Sequence, residues 1–194
     1  MPPCLDMAKV VSASHPNDNF LRSLSSVMYL NLNITNKADA ICSAVNFSRL
    51  IECKLTPHYP SVNWVKSVMR LLRNSPKLRA LMIISNYFRQ YEDLPLGSSV
   101  PECLSCSLKI VEWEDYRGTR EEKKVMTYIL ENSKCLKTIR ISLKCDNEEK
   151  KKTVMEELES MYRVSESSQL FFSTQFRWSS MMKQHPAYQI MSSI

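Results

Sequence analysis

The sequence predicts an α/β fold: a short solenoid with a parallel sheet on its concave face and helices on its convex face. Three observations predict it. First, the spacing L-x-x-L-x-L, with apolar substitutes allowed, occurs five times. The copies are Val27/Leu30/Leu32, Leu50/Cys53/Leu55, Leu78/Leu81/Ile83, Leu108/Val111/Trp113 and Leu136/Ile139/Ile141. Second, the middle positions step by 23, 28, 30 and 28 residues, near the roughly 20–29 of a leucine-rich repeat unit. Third, amphipathic helices fill the later gaps, so each unit reads as strand, turn, helix, and buries its apolar face only against its neighbours. The expected architecture is therefore leucine-rich-repeat-like.

The elements follow in order. Residues 1–23 read as a lead-in, partly disordered, and 24–99 as repeat-like units. In Tyr29-Leu30-Asn31-Leu32-Asn33 the apolar side chains fall on one face and the polar ones on the other, as a half-buried strand requires. Ile51 to Leu55 and Thr138 to Ser142 alternate likewise. Leu78 to Ile84 is apolar on both faces, which implies that its outer face is covered by another segment or a partner. Because the repeats start at Val27, the first strand is expected to expose an edge. A helix over Asn63–Ser75 places Val65, Val68, Met69 and Leu72 on one stripe. A second, over Arg120–Ser133, groups Val125, Met126, Ile129 and Leu130, and Thr119-Arg120-Glu121-Glu122 is a T-x-x-E capping box. A third, over Glu148–Tyr162, turns Val154, Leu158, Met161 and Tyr162 inward, with Asp146 placed to cap its first turn. Gln169 to Ser173 is a looser sixth strand. Thr174 to Ile194 shows no clear period and reads as a poorly ordered tail, in which Trp178 has no assignment.

Composition narrows the function. The 194 residues hold two glycines, Gly97 and Gly118, too few for a dinucleotide-binding or phosphate-binding glycine loop. The longest apolar run, Ala80 to Ile84, is far short of a membrane span. The start MPPCLDMAKVVSASH lacks a basic segment followed by a long apolar one, so secretion is not expected and nucleus or cytoplasm both fit. The seven cysteines then read as reduced thiols. A net charge of +6 favours weak attraction to polyanions and is otherwise uninformative.

From Val100 the chain reads VPECLSCSLKIVEWEDYRGTREEKKVMTYILENSKCLKTIRISL, then EEKKKTVMEELESMYRVSESSQLFFS. This closely resembles the FBD domain found at the C-terminus of plant F-box/LRR-repeat proteins, over residues 100–173. The segments FLRSLSSVMYLNL, FSRLIECKL and WVKSVMRLLRNSPKLRALMI resemble the leucine-rich repeats that precede it. The resemblance implies that the FBD part continues the solenoid. It also implies a role like that of the substrate-recognition part of an SCF ubiquitin ligase F-box protein. The 26 residues ahead of the first repeat cannot hold an F-box, so docking to the ligase adaptor is not expected of this chain.

The chemical constellations are weak. Cys103-Leu104-Ser105-Cys106 is a C-x-x-C, half of a zinc site or a redox pair, or simply two packed or loop thiols. No second C-x-x-C accompanies it, and His15, His58 and His185 are scattered. A cysteine- or metal-dependent enzyme centred on 103–106 remains the alternative, and a weak basic nucleic-acid binder the third reading. The expectation is of no enzyme, cofactor or metal. Glu112 and Glu114 share a strand face and read as a solvated acidic strip, and Lys150-Lys151-Lys152 as part of a mixed charged helix face. Trp64, Trp113 and Phe172 are expected in the core.

The binding surface follows from the geometry. Non-core strand positions line the exposed sheet face: Tyr29, Asn31 and Asn33; Glu52, Lys54 and Thr56; Ala80, Met82 and Ile84; Ile110, Glu112 and Glu114; Thr138, Arg140 and Ser142. An apolar middle with polar margins suits a protein partner. The expected partner is thus an unidentified protein, with membrane excluded and nucleic acid disfavoured.

Overall fold

The computed structural model describes residues 6–10, 18–34, 38–57, 64–85 and 99–173. The histidines, Trp178, the tail from Thr174 and the expected first helical residue Asn63 lie outside these. The elements are β1 (Met7–Val10), α1 (Asp18–Ser25), β2 (Tyr29–Ile34), α2 (Ala38–Ala44), β3 (Glu52–Pro57), α3 (Trp64–Arg73), β4 (Ala80–Ile84), α4 (Glu102–Cys106), β5 (Ile110–Tyr116), α5 (Arg120–Asn132), β6 (Thr138–Leu143), α6 (Glu148–Ser160) and β7 (Gln169–Phe172). The strands form one sheet in chain order, β1 to β7, and every neighbouring pair is parallel. Parallel neighbours need crossover segments, and the helices supply them.

The repeat positions meet in register. The five middle positions form one row, Leu30, Cys53, Leu81, Val111 and Ile139, which Ala8 and Leu170 extend at either end. The row beside it runs Val10, Leu32, Leu55, Ile83, Trp113, Ile141 and Phe172. Both rows face the helices. They join Leu24 of α1, Ile41 of α2, the buried stripe of α3, Leu104 of α4, the four apolar residues of α5, and Val154 and Leu158 of α6 in a single core. Trp113 lies at its centre, edge-on to Trp64 at 5.9 Å and to Tyr116 at 5.2 Å, an arrangement that aromatic quadrupoles favour.

The structure corrects three expectations. β2 is not an edge, since β1 pairs with it, and the N-terminal edge moves to β1. Tyr162 does not turn inward: helix α6 ends at Ser160 and the ring is 68% exposed. The cap of α6 is Asn147, whose side chain accepts the Lys150 N–H at 2.7 Å. Asp146 instead reaches the Lys150 ammonium at 3.7 Å. The cysteine pair lies on the short helix α4, with Cys103 packed in the core, one of the placements expected for it. The capping box of α5 is present as expected: Thr119 Oγ1 accepts the Glu122 N–H, and the Glu122 carboxylate accepts the Thr119 N–H. Among the described residues no helix is long and apolar enough to cross a membrane.

Candidate protein-interaction face

Alternation sends the other strand residues to the opposite face of the sheet. One row runs Tyr29, Glu52, Ala80, Ile110, Thr138 and Gln169. The next runs Asn31, Lys54, Met82, Glu112, Arg140 and Phe171. A short third row pairs Asn33 with Thr56 and Ile84 with Glu114. Ser142 has no opposite number, because the β5–β6 register slips between Trp113 and Tyr116. At that bulge Asp115 takes the left-handed conformation (φ +61°), which Asp tolerates better than most residues. Its N–H donates to Ser142 Oγ at 3.0 Å, and its carboxylate holds the Lys144 ammonium at 2.7 Å.

The face changes character along the sheet. Tyr29, Glu52, Thr56, Ala80, Met82 and Glu112 are buried, with Met82 only 2% exposed, so the apolar middle is largely closed to solvent. Asn31, Asn33, Lys54, Ile84, Ile110, Glu114, Thr138, Arg140 and Ser142 are half-buried. Beyond them the face opens: Gln169 is exposed and Phe171 is 46% exposed. The structure thus brings every residue of the expected patch onto one face, with half-buried members along β2 to β6, and the exposed positions of that face, Gln169 and Phe171, lie on β7. Phe171 was not among the expected residues. The signal for it was the Phe171-Phe172 pair, since one of two adjacent strand residues must point away from the core.

Glu112 is not a solvated acid. It is 2% exposed and accepts a hydrogen bond from Arg140 Nη1 at 2.7 Å. The two residues are 28 apart in sequence and directly opposite in register. Glu112 thereby fixes the guanidinium on the open part of the face, beside Phe171. At the other end, burial and then the carboxylates of Glu52 and Asp6 raise the Tyr29 phenol above its ordinary value.

The cysteine pair offers little chemistry. Cys103 is buried and its thiol donates to the Leu72 carbonyl at 3.2 Å. Burial pushes its pKa to about 12, so it stays protonated and is a poor nucleophile. Cys106 is exposed. Among the described residues no group of three or more His, Cys, Asp or Glu side chains could hold a metal ion. Among the described residues, concavities border the sheet at both strand ends. One of about 310 Å³, at the strand C-termini, is lined by Glu114, Asp115, Ser142, Lys151, Met155 and Phe172 among others. Another, of about 240 Å³, lies at the strand N-termini.

Residues 96–141 match the FBD family model. Over 181 residues, 90% of its length, the chain is 44% identical to an F-box/FBD/LRR-repeat protein of Arabidopsis thaliana, covering 37% of that protein. It is 40% identical over 183 residues to an FBD-associated F-box protein of the same plant, covering 88% of this chain and 41% of the relative. A further F-box/FBD/LRR-repeat protein of Arabidopsis is 35% identical over 163 residues, 79% of this chain and 38% of the relative. The chain thus spans about two-fifths of the length of these relatives. No solved structure matches.

Proposed function

From a chain that carries an FBD domain and is homologous over most of its length to plant F-box/FBD/LRR-repeat proteins, we propose a non-catalytic polypeptide-binding module. Its architecture is a short leucine-rich-repeat-like solenoid, with residues 24–99 as repeat-like units and 100–173 as the FBD part that continues them. Chain-order parallel strands with aligned repeat positions support that architecture. The binding surface is the sheet face opposite the described helices, at its β5–β7 end. There it presents a protein of the kind that an SCF-type ubiquitin ligase would receive through an F-box-bearing relative.

One observation carries the reading. Phe171 is a large exposed apolar side chain beside Arg140, whose guanidinium is held by the buried Glu112 carboxylate. Aromatic and arginine side chains that are already fixed are the residue types that dominate protein interfaces. Ile110 and Thr138 flank them as the half-buried margin.

Affinity capture from plant extract, with mass spectrometry, compares the chain with its Phe171→Ala and Thr138→Arg variants. The proposal expects a defined protein that both variants lose while their melting temperatures hold. A partner retained by both variants would move the binding surface elsewhere. These 194 residues are also expected not to pull down the ligase adaptor.

A further inference from the structure

The residues at or just before the starts of the strands form a ladder of their own at the N-terminal rim of the sheet. The Ile51 N–H donates to the Met28 carbonyl, Arg79 to Ile51, Lys109 to Arg79, Lys137 to Lys109 and Gln169 to Lys137, at 2.7 to 2.9 Å. Adjacent strands lie about 4.8 Å apart. Three cationic residues, Arg79, Lys109 and Lys137, therefore stand on consecutive rungs, and all three are exposed. Lys77 and Lys134, in the turns just before, are exposed as well. None of these five side chains takes part in an ion pair or hydrogen bond among the described residues. Asp6 is 3.7 Å from Arg49, and Glu166 is exposed in the turn before β7. The middle of the rim is a run of like charge that nothing in the described chain neutralises.

At the β2–β4 end of this run lies the concavity of about 240 Å³. It is lined by the apolar Met28 and Ile51 and by Arg49, Lys77, Arg79 and Ser107. A hollow lined by apolar and cationic side chains thus shares Arg79 with the cationic ladder. The two features together select a ligand that is apolar at one end and anionic over the following stretch. From Ile51 to Lys137 is three strand spacings, roughly 14 Å, the reach of about four extended residues.

We propose that this rim is a second binding surface, for an acidic polypeptide segment that seats an apolar side chain in the hollow and lays carboxylates along Arg79, Lys109 and Lys137. It is separate from the Phe171 face and does not depend on it. A nucleic-acid strand fits less well, because single-stranded binding uses aromatic side chains on which bases stack. The described rim positions Met28, Ile51, Arg79, Lys109 and Lys137 supply none.

The probe is acetyl-Leu-Asp-Glu-Asp-Glu-amide, titrated into the isotope-labelled chain at low salt and followed by NMR. The expected result is saturable shifts at the Arg79, Lys109 and Lys137 amides. Combined Arg79→Gln, Lys109→Gln and Lys137→Gln should weaken binding about tenfold, as the loss of three exposed ion pairs implies. Replacing the leucine of the probe by alanine should also weaken it about tenfold. The Phe171→Ala variant should bind the probe unchanged, so failure here and failure of the Phe171 face are read separately. The substituted side chains are exposed, and an unchanged melting temperature confirms that the triple variant is folded. The proposal is overturned if no saturable binding occurs, or if the neutral Asn/Gln counterpart of the probe binds equally. It is also overturned if the triple variant binds like the parent. Tighter binding of a short oligothymidylate to the same residues would assign the rim to nucleic acid instead.

Discussion

Replacing Glu122 with alanine removes the acceptor around which three segments are gathered. The carboxylate is fully buried. One oxygen accepts the Ser85 hydroxyl at 2.6 Å, and the other accepts the Arg117 and Thr119 amides at 3.0 Å each. Ser85 Oγ in turn accepts the Trp113 indole N–H at 2.8 Å. The end of β4, the centre of β5 and the start of α5 are thus tied through one side chain. Loss of the capping box costs about 1 kcal/mol. Leaving the buried serine hydroxyl and two amides without an acceptor adds about 1–3 kcal/mol, and relief from burying a carboxylate returns part of that. The expected net loss is about 1–3 kcal/mol. With a urea dependence of roughly 1–3 kcal/mol per molar, the denaturation midpoint should fall by about 0.5–1.5 M. A fall of less than roughly 0.3 M would refute the reasoning. Burial outweighs the hydrogen bonds from Ser85, Thr119 and Arg117 and raises the pKa of Glu122 above its ordinary value. A raised carboxyl pKa favours the folded state in its protonated form. That contribution is complete below the unfolded value and is lost as pH rises through the folded one. Measured against Glu122→Gln, which stays neutral, the parent should therefore lose stability as pH rises out of the acid range. The opposite slope would contradict the assignment.

Further outcomes follow from the same geometry. Gly118 has φ +71°, and a Cβ there would lie 2.8 Å from Val154 Cγ2. Gly118→Ala should cost about 1–3 kcal/mol, and less in a Val154→Ala background, as a double-mutant cycle by urea denaturation would show. Asn147→Ala should cost about 1 kcal/mol, whereas Asp146→Ala should be nearly neutral, since only Asn147 caps α6. Iodoacetamide at neutral pH should label exposed Cys106 in the native protein and leave Cys103, with its pKa near 12, until unfolding. Peptide mapping after labelling reads this directly, and early modification of Cys103 would reopen its case as a nucleophile.

Much of the fold was legible because the repeat states it several times. Each copy carries the same apolar triplet, so the phase of β2 to β6 and their mutual register follow from spacing alone. The stripes of α3 and α5 were equally clear, because a helix of ten or more residues shows its period. What escaped was short or unrepeated. The strand β1 is only four residues, MAKV, with no triplet to mark it. The helix α4 is five residues behind Pro101, too short to display a helical period. Tyr162 continued the stripe of α6 on paper, but the helix stops at Ser160 and the ring falls outside the core. Glu112 was misread for a different reason. Two acidic positions on one strand face look solvated until the residues opposite are known, and Arg140 stands opposite Glu112 across one repeat step. The repeat already contained that pairing. Likewise, the cationic rim is scattered in sequence and becomes continuous only when the strands are laid side by side.

The most direct test is the pattern of cross-strand proton contacts measured by NMR on the labelled chain. Side-by-side parallel stacking predicts contacts that link Leu30 to Cys53, Cys53 to Leu81, Leu81 to Val111 and Val111 to Ile139, each strand touching the next in chain order. Strong α-proton to α-proton contacts between those segments would mark antiparallel pairing, and with it both proposed binding surfaces would be lost.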